Sequence, residues 1–145
     1  METKPVLPIA EMICFSLYAA THAMQHAYKP LLEALGLTYP QYLVLVSLWG
    51  EDGQTVGQLG QALQLESNTL TPLLKRMEAQ GLVLRARDSR DERQVRVSLS
   101  AAGREMQARA AGIPRCILEK SGMSLAALTA LRDQVNSLRD QLRGG

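Results

Sequence analysis

Two cysteines and four tyrosines could perform redox chemistry in this 145-residue chain. Cys14 stands in an apolar stretch, where a lone cysteine is ordinarily a small core residue. The tyrosines all follow it closely, at Tyr18, Tyr28, Tyr39 and Tyr42. A phenol O–H donates well to a thiolate and favours the charged form, and only the thiolate attacks a peroxide. The pattern therefore predicts that Cys14 reacts with peroxides.

The spacing of Cys14 and Tyr28 predicts where the donors come from. Tyr28 follows Cys14 by 14 residues on one predicted helix, a distance of about 21 Å at ~1.5 Å per residue. Tyr28 therefore cannot contact its own Cys14. It could reach the Cys14 of a partner if the first helices of two chains pack antiparallel, which would build the site across a dimer interface.

The elements that must position these residues are mainly helices. A long helix is predicted from Ile9 to Tyr28, interrupted by Lys29-Pro30, with a short helix from Leu31 to Leu35 ended by Gly36. Gly50 to Gln54 is predicted as a turn. Further helices are predicted from Tyr39 to Trp49 after a Thr38 cap, from Thr55 to Leu63, from Ser67 to Gln80, from the Ser100 cap to about Ala111, and after the Ser124 cap.

The hydrophobic period changes to two after Gly81. Leu82 to Arg85 is one predicted strand, and Val95 to Leu99 is a second, half-buried one. The charged stretch from Arg87 to Arg93 would connect them as a loop. Two short helices, a hairpin and a helix form the order of a winged helix-turn-helix. The fold class is therefore mainly α with a small β-hairpin wing, flanked by N- and C-terminal dimerisation helices.

We expect a single domain over residues 1–145. Residues of about 1–50 and 100–145 would form the dimerisation and sensing helices, and about 55–99 the DNA-binding lobe. The last helix repeats leucine and valine at spacings of 3, 4, 3 and 4, a heptad seam that favours contact with a partner chain. The seam consists of Leu128, Leu131, Val135, Leu138 and Leu142.

Charge is concentrated beside the predicted wing. Residues 1–74 carry two lysines against six acids, whereas residues 75–96 carry seven bases against four acids. A solvated loop would explain charge alone, but the predicted fold adds a second helix that offers polar side chains to base edges. The residues expected to contact double-stranded DNA are Ser67, Asn68, Thr69, Thr71, Lys75, Arg76, Arg87, Arg90 and Arg93, with Asp91 orienting Arg93.

Two features qualify the predicted DNA-reading helix. Ser67 or Asn68 could also cap it. Pro72 removes an amide early in the helix, which is tolerated if the helix begins near Asn68. The predicted helix, the predicted wing and the local positive charge together still favour DNA as the partner.

Composition limits the remaining functions. Apolar residues make up 46% of the chain, yet no stretch approaches the ~20 apolar residues of a membrane span. The sequence shows no secretory signal, so we expect a cytoplasmic protein with no membrane partner. His22 and His26 are spaced as helical metal ligands, but no third ligand is evident nearby. We expect no metal, no cofactor and no catalytic residues.

The run from Leu65 to Leu99 resembles the DNA-binding core of the MarR family. Its wing is similar to the family's D-x-R pattern, here Asp91-Glu92-Arg93, followed by a strand and Leu99-Ser100-Ala101-Ala102-Gly103. The resemblance covers essentially the whole chain. It implies an obligate homodimer, held by the terminal helices, that represses transcription from a pseudo-palindromic operator.

Three further segments resemble the OhrR-type organic hydroperoxide sensors within that family. They are Cys14-Phe15-Ser16-Leu17-Tyr18, Ala27-Tyr28-Lys29-Pro30-Leu31-Leu32 and Leu37-Thr38-Tyr39-Pro40-Gln41-Tyr42. The resemblance implies that Cys14 is the peroxidatic cysteine and that Tyr28 and Tyr39 of the other subunit donate to it, with Tyr18 as a further candidate. It also implies that Cys116 is a resolving thiol that forms an intersubunit disulfide, although a buried structural role is the alternative.

Two other functions stay open at this point. A MarR-type repressor could release DNA on binding a small aromatic ligand, with Cys14 incidental. A thiol peroxidase is the other reading, but nothing in the chain resembles a thioredoxin-like βαβ pattern, and such an enzyme has no use for a wing.

Overall fold

The computed structural model describes residues 6–144 and consists mainly of helices around a small antiparallel sheet. A 3-10 turn at Ile9–Glu11 precedes the first helix. The elements that follow are α1 (Ile13–Glu33), α2 (Tyr39–Gly50), β1 (Gln54–Thr55), α3 (Val56–Leu63), α4 (Ser67–Ala79), β2 (Val83–Arg87), β3 (Val95–Leu99), α5 (Ala101–Ala110), α6 (Ile113–Ser121) and α7 (Leu125–Leu142).

The first helix differs from its prediction at both ends. It begins at Ile13 because Met12 is extended, and it continues without a break through Pro30 to Glu33. The predicted interruption at Lys29-Pro30 and the separate helix from Leu31 to Leu35 are therefore wrong. Pro30 lies in the last turn, where its missing N–H costs one hydrogen bond. Buried Leu32 and the left-handed Gly36 (φ 71°) fix the end of the helix.

Two helices begin with the same reciprocal cap. The Thr38 hydroxyl accepts from the Gln41 N–H at 3.3 Å, and the Gln41 side chain accepts from the Thr38 N–H at 3.1 Å. Thr55 and Gln58 repeat the pattern at the start of α3. The sequence T-x-x-Q is a capping box, which satisfies two otherwise unpaired amides. Both predicted helix starts are confirmed.

The core follows the predicted apolar stripe of α4. Its four stripe residues are buried against the neighbouring helices and strands of the same unit, as predicted. They are Leu70, Leu73, Leu74 and Met77. The turn before α4 is made by Gln64, whose φ of 59° is left-handed. The stripe leaves the opposite face of α4 to solvent.

The sheet has three strands in the order β1-β3-β2, all antiparallel. The predicted hairpin is present, but its first strand runs from Val83 to Arg87 and not from Leu82 to Arg85, so the loop begins one residue later than predicted. The third strand was missed, because Gln54 and Thr55 were assigned to a turn and to a helix start. The side chain of Asp52 helps to position this strand by accepting from the Leu99 N–H at 2.9 Å.

The chain divides into two compact units, one ending at Ala111 and the other starting at Gly112. In the second unit, Gly112 and Pro114 start a separate helix, α6, which was not predicted. The Ser124 cap of α7 is confirmed, since its hydroxyl accepts from the Ala127 N–H at 3.1 Å. The α7 seam is largely unburied in the single chain, with Leu142 77% exposed. Within residues 6–144, no helix is both long enough and apolar enough to cross a membrane.

Gly103 is the tightest point of the first unit. A Cβ there would collide with the Leu82 carbonyl oxygen and lie 3.2 Å from the Leu99 side chain. The Gly103 carbonyl also accepts from the Trp49 indole N–H at 2.9 Å. The start of α5 therefore depends on the absence of a side chain.

We predict that Gly103→Ala lowers the free energy of unfolding by about 2–3 kcal/mol, because overpacking must displace the backbone at Leu82. Urea unfolding at a fixed protein concentration measures this loss. Gly50→Ala is the control, since a Cβ at Gly50 meets nothing within 4 Å and should change stability by less than about 1 kcal/mol. Equal effects of the two substitutions would contradict the prediction.

Candidate nucleic-acid interface and cysteine–tyrosine site

The start of α4 presents short polar side chains to solvent. Ser67, Asn68 and Thr69 are exposed and Thr71 is half-buried. Neither Ser67 nor Asn68 is the N-cap. That position belongs to Glu66, which makes no side-chain cap hydrogen bond. The hydroxyls and the amide are therefore not committed to capping and are placed to meet a ligand.

Pro72 lies near the start of α4, as the predicted helix from Ser67 places it, and still removes one helical hydrogen bond. The helix begins at Ser67, which makes Pro72 its sixth residue. The first four amides of a helix have no partner in the helix, but the sixth normally bonds four residues back. Pro72 therefore leaves the Asn68 carbonyl without its helical partner, and the burial of the leucine stripe maintains the helix around it.

The wing loop holds one arginine in a defined pose. Asp91 Oδ1 accepts from Arg93 Nε at 3.1 Å and from the Arg93 backbone N–H at 3.1 Å, and its Oδ2 accepts from Nη2 at 3.3 Å. These hydrogen bonds from Arg93 hold the pKa of Asp91 below its usual value. The Arg93 side chain remains 90% exposed. The structure therefore brings the two side chains together, and the role of the pair toward DNA stays a prediction.

Two arginines of the charged segment form ion pairs within the protein. Arg85 pairs with Glu78 at 3.3 Å. Arg96 pairs with Asp88 at 3.3 Å and also donates to the Gly53 carbonyl. In the sequence these arginines contribute only to the general positive charge, because their acidic partners become neighbours only when the chain folds. The basic residues of the segment 75–96 that remain exposed are Lys75, Arg76, Arg87, Arg90 and Arg93.

A cleft joins α4 to the wing. It has a volume of about 300 Å³ and brings together three of the predicted contact residues, Ser67, Thr71 and Arg93. Thr55 and Gly57, at the start of α3, line the same cleft. Hydroxyls, backbone amides and one guanidinium are the groups that bind phosphate oxygens. The sequence did not predict that the start of α3 contributes.

Three of the four tyrosines form a cluster. The ring centroid of Tyr28 lies 5.1 Å from that of Tyr39 and 5.9 Å from that of Tyr42. Tyr42 continues the cluster to Trp49 at 6.3 Å. Tyr18 is not part of it, because its ring is 61% exposed and packs edge-on against His22 at 4.2 Å. The fold thus brings Tyr28 and Tyr39 together, which is necessary if both are to donate to one thiolate.

The tyrosine cluster keeps its phenols protonated. Burial raises the pKa of Tyr28, Tyr39 and Tyr42 above 10.0, and neighbouring phenols raise those of Tyr28 and Tyr42 further. The three hydroxyls therefore stay neutral hydrogen-bond donors at physiological pH. A donor of this kind stabilises an anion without transferring its proton.

The cysteines lie away from the tyrosine cluster or in the other unit. Cys14 is exposed in the first turn of α1, and Cys116 is half-buried in α6; both are free thiols. Because α1 is continuous, Cys14 and Tyr28 are separated by about 21 Å of helix. One chain therefore does not by itself bring Cys14 to the tyrosine cluster.

A second cleft of about 560 Å³ lies between α1 and the start of α2, and Tyr39 lines one side. His22, His26 and Lys29 line the α1 side. Among residues 6–144, no group of three or more His, Cys, Asp or Glu side chains is arranged to hold a metal ion.

The chain is similar to known transcription regulators. A family model described as transcriptional regulator SarA/Rot matches residues 26–109. The HTH-type transcriptional regulator TtmR of Methylorubrum extorquens is 49% identical over 130 residues, which cover 90% of this chain and 67% of that protein. The organic hydroperoxide resistance transcriptional regulator of Bacillus subtilis is 43% identical over 136 residues, covering 94% and 92%.

The fold is similar to solved structures of AbfR of Staphylococcus epidermidis. Reduced AbfR bound to DNA gives a TM-score of 0.78 at 34% identity, covering 92% of this chain and 94% of that one. AbfR with a disulfide formed gives 0.63 at 35% identity, covering 93% and 90%. Together with the observed elements, these similarities confirm the winged helix-turn-helix prediction.

The tyrosine cluster predicts a loss of stability in alkali. A group whose pKa is raised by folding stabilises the fold below its unfolded pKa, and this contribution disappears as the pH rises through the folded value. The free energy of unfolding should therefore fall above about pH 10, and less steeply in Tyr28→Phe. Urea unfolding at several pH values measures this. The prediction fails if phenolate absorbance appears at the same pH in folded and urea-unfolded protein.

Proposed function

This chain belongs to the MarR family of transcription regulators, and we propose that it is a repressor that releases DNA when an organic hydroperoxide oxidises Cys14. The observation that carries the proposal is the separation, along the continuous helix α1, of Cys14 from Tyr28, whose ring packs on Tyr39 of α2. A donor pair so far from its own thiol has a use if it serves the thiol of a second copy. MarR-family regulators are dimers, which supplies that copy.

The proposed DNA contacts follow from the α4 surface and the wing. Asn68 and Thr69 at the exposed start of α4, the recognition helix, read base edges in the major groove. Arg93, fixed by Asp91, reaches the backbone or the minor groove. Ser67, Thr71 and Arg93 together hold a phosphate in the cleft beside the wing, and the other exposed bases add sequence-independent attraction.

A dimer would place two recognition helices on one duplex. The proposed operator is roughly palindromic, with half-sites about 10 bp apart, because paired recognition helices meet successive major grooves. The exposed α7 seam, including Leu131 and Val135, is proposed to help hold the two chains together. Repressor and operator act in the cytoplasm.

The proposed sensing chemistry has two steps. The Cys14 thiolate attacks the distal oxygen of the hydroperoxide, the O–O bond breaks, and a sulfenic acid forms while the departing alkoxide takes a proton from water to become the alcohol. The Tyr28 and Tyr39 hydroxyls of the partner stabilise the thiolate. The Cys116 thiol of the other chain then attacks the sulfenic sulfur, forming a disulfide and releasing water.

The relatives support cysteine oxidation as the signal. The Bacillus regulator is named for organic hydroperoxide resistance, and AbfR exists both reduced on DNA and with a disulfide formed. A disulfide needs Cα atoms within about 7 Å. Closing one between Cys14 and Cys116 is proposed to move the terminal helices and thereby change the spacing of the recognition helices.

A second candidate function is favoured by the cleft between α1 and α2. Its volume of about 560 Å³ lies within the range of small-molecule sites. In this alternative a small aromatic ligand binds beside Tyr39 and releases DNA, with Cys14 incidental. Replacing Cys14 separates the two functions, because the response to a ligand would survive.

The decisive experiment measures DNA affinity before and after one equivalent of cumene hydroperoxide. Wild type should lose affinity at least tenfold, while Cys14→Ser should bind as tightly as reduced wild type and ignore the peroxide, because serine has no accessible anion near neutral pH. Cys116→Ser should react once and then drift to over-oxidised forms, since no thiol captures the sulfenic acid. Mass spectrometry and a non-reducing gel follow both products.

Two results would count against parts of this proposal. A Cys14→Ser protein that still releases DNA on treatment would exclude oxidation of Cys14 as the signal. Oxidised wild type that runs as a monomer on the gel, with Cys116→Ser behaving identically, would restrict the sensor to one cysteine.

The recognition helix and the wing should fail differently when mutated. Asn68→Ala or Thr69→Ala should lower affinity for the operator more than for a scrambled duplex, because base contacts are lost, at about 1–3 kcal/mol for a good pair. Arg93→Ala should weaken both duplexes more evenly, since backbone contacts carry little sequence information. Titrations on the two duplexes measure this. Equal loss of specificity in both classes of variant would refute the assignment.

A further inference from the structure

Gln41 is a buried polar side chain between the tyrosine cluster and the recognition helix. It is 4% exposed, and within residues 6–144 only Gln54 and Thr55 are comparably buried polar residues. A buried amide must find partners for its oxygen and its nitrogen. The oxygen accepts from the Thr38 N–H in the capping box of α2. The nitrogen has a different partner.

The Gln41 amide nitrogen donates to Gln80 Oε1 at 3.1 Å, across 39 residues of sequence. Gln80 is the C-cap of the recognition helix, and its backbone N–H donates to the Arg76 carbonyl. A capping box requires only the oxygen of Gln41. The nitrogen therefore serves a second purpose, which is to join the start of α2 to the end of α4.

The same turn of α2 carries two members of the tyrosine cluster. Tyr39 and Tyr42 flank Gln41, and both rings contact Tyr28 of α1. The capping box holds this turn together, so a displacement of Tyr39 displaces Gln41. The contact with Gln80 then passes the displacement to the recognition helix.

The length of α4 makes a small displacement significant. Its 13 residues span about 20 Å at ~1.5 Å per residue. A tilt of about 5° at Gln80 would move the first turn, which carries Asn68 and Thr69, by about 2 Å over that length. Base-edge hydrogen bonds do not tolerate a shift of that size.

We infer that Gln41 is a positioning residue that couples the tyrosine cluster to the recognition helix through its hydrogen bond to Gln80. The inference rests on the proposed function, since it names the route by which the state of the sensing site reaches DNA. It requires no contact of either glutamine with DNA or with peroxide.

The test compares Gln80→Ala with Gln80→Glu. The alanine removes the acceptor, whereas a carboxylate keeps it and should act as the conservative rescue. Gln107→Ala, at an exposed position of α5, controls for the loss of a surface glutamine. The probe is a duplex that the wild-type protein has selected from a random-sequence pool. The readout is the ratio of dissociation constants after and before one equivalent of cumene hydroperoxide, with the rate of Cys14 thiol loss measured in parallel.

We expect Gln80→Ala to lower that ratio at least fivefold while Cys14 oxidises at the wild-type rate. Gln80→Glu and Gln107→Ala should stay within about twofold of wild type. A wild-type ratio in Gln80→Ala, or an equal loss in Gln80→Glu, would overturn the inference. If the wild-type protein itself does not respond to the peroxide, the proposed function fails, and the wild-type ratio of dissociation constants shows this directly.

A second arm decides the inference without peroxide. Tyr39→Ala, Gln80→Ala and the double variant are compared for DNA affinity in the reduced state. Coupled residues should depart from additivity by at least threefold. Strict additivity in this cycle would overturn the coupling even if the protein proves to sense hydroperoxides.

Discussion

The first turn of α2 depends on the reciprocal hydrogen bonds between Thr38 and Gln41, and much of the protein is organised around that turn. The capping box orients Tyr39 and Tyr42 toward Tyr28 on α1. The same glutamine meets the end of α4. An amide side chain can serve both contacts because it carries an acceptor and a donor on one rigid group. The tyrosine cluster and the end of α4 are therefore attached to one short segment of backbone.

Electrostatic pairing divides the arginines of the wing into two groups. Arg85 pairs with Glu78, which links β2 to α4, and Arg96 pairs with Asp88, which links β3 to the wing loop. Arg93 is oriented by Asp91 yet remains in solvent. An exposed ion pair contributes little to stability, so the value of the second arrangement lies in the direction it gives to a guanidinium. The wing thus has paired arginines in its two strands and one oriented, exposed arginine in its loop.

The sequence predicted those features that depend on neighbours along the chain. The spacing of Leu70, Leu73, Leu74 and Met77 identified the buried face of α4, and the threonine and serine caps located helix starts, because both depend on residues within one or two turns. The predicted interruption at Pro30 is wrong because proline breaks most helices, and the local sequence does not show that the last turn of this one tolerates it. The strand at Gln54 is too short to have a period and exists only by pairing with β3.

The candidate site shows the same division. Asp91 and Arg93 are two residues apart, and their contact could be predicted from that spacing. The pairing of Arg96 with Asp88, the contribution of Gly57 to the cleft and the contact of Gln41 with Gln80 join residues that are distant in sequence or meet only in the folded hairpin. No local pattern contains them.

Trp49 has a consequence for how the protein can be observed. It is the single tryptophan of the chain; its indole N–H is bonded to Gly103 and its ring faces Tyr42, so it stands where α2, α5 and the tyrosine cluster meet. Tyrosine excitation passes readily to an indole at this separation. The molecule consequently contains its own fluorophore at the junction between the tyrosine cluster and α5, and its emission reports on that junction without any attached dye.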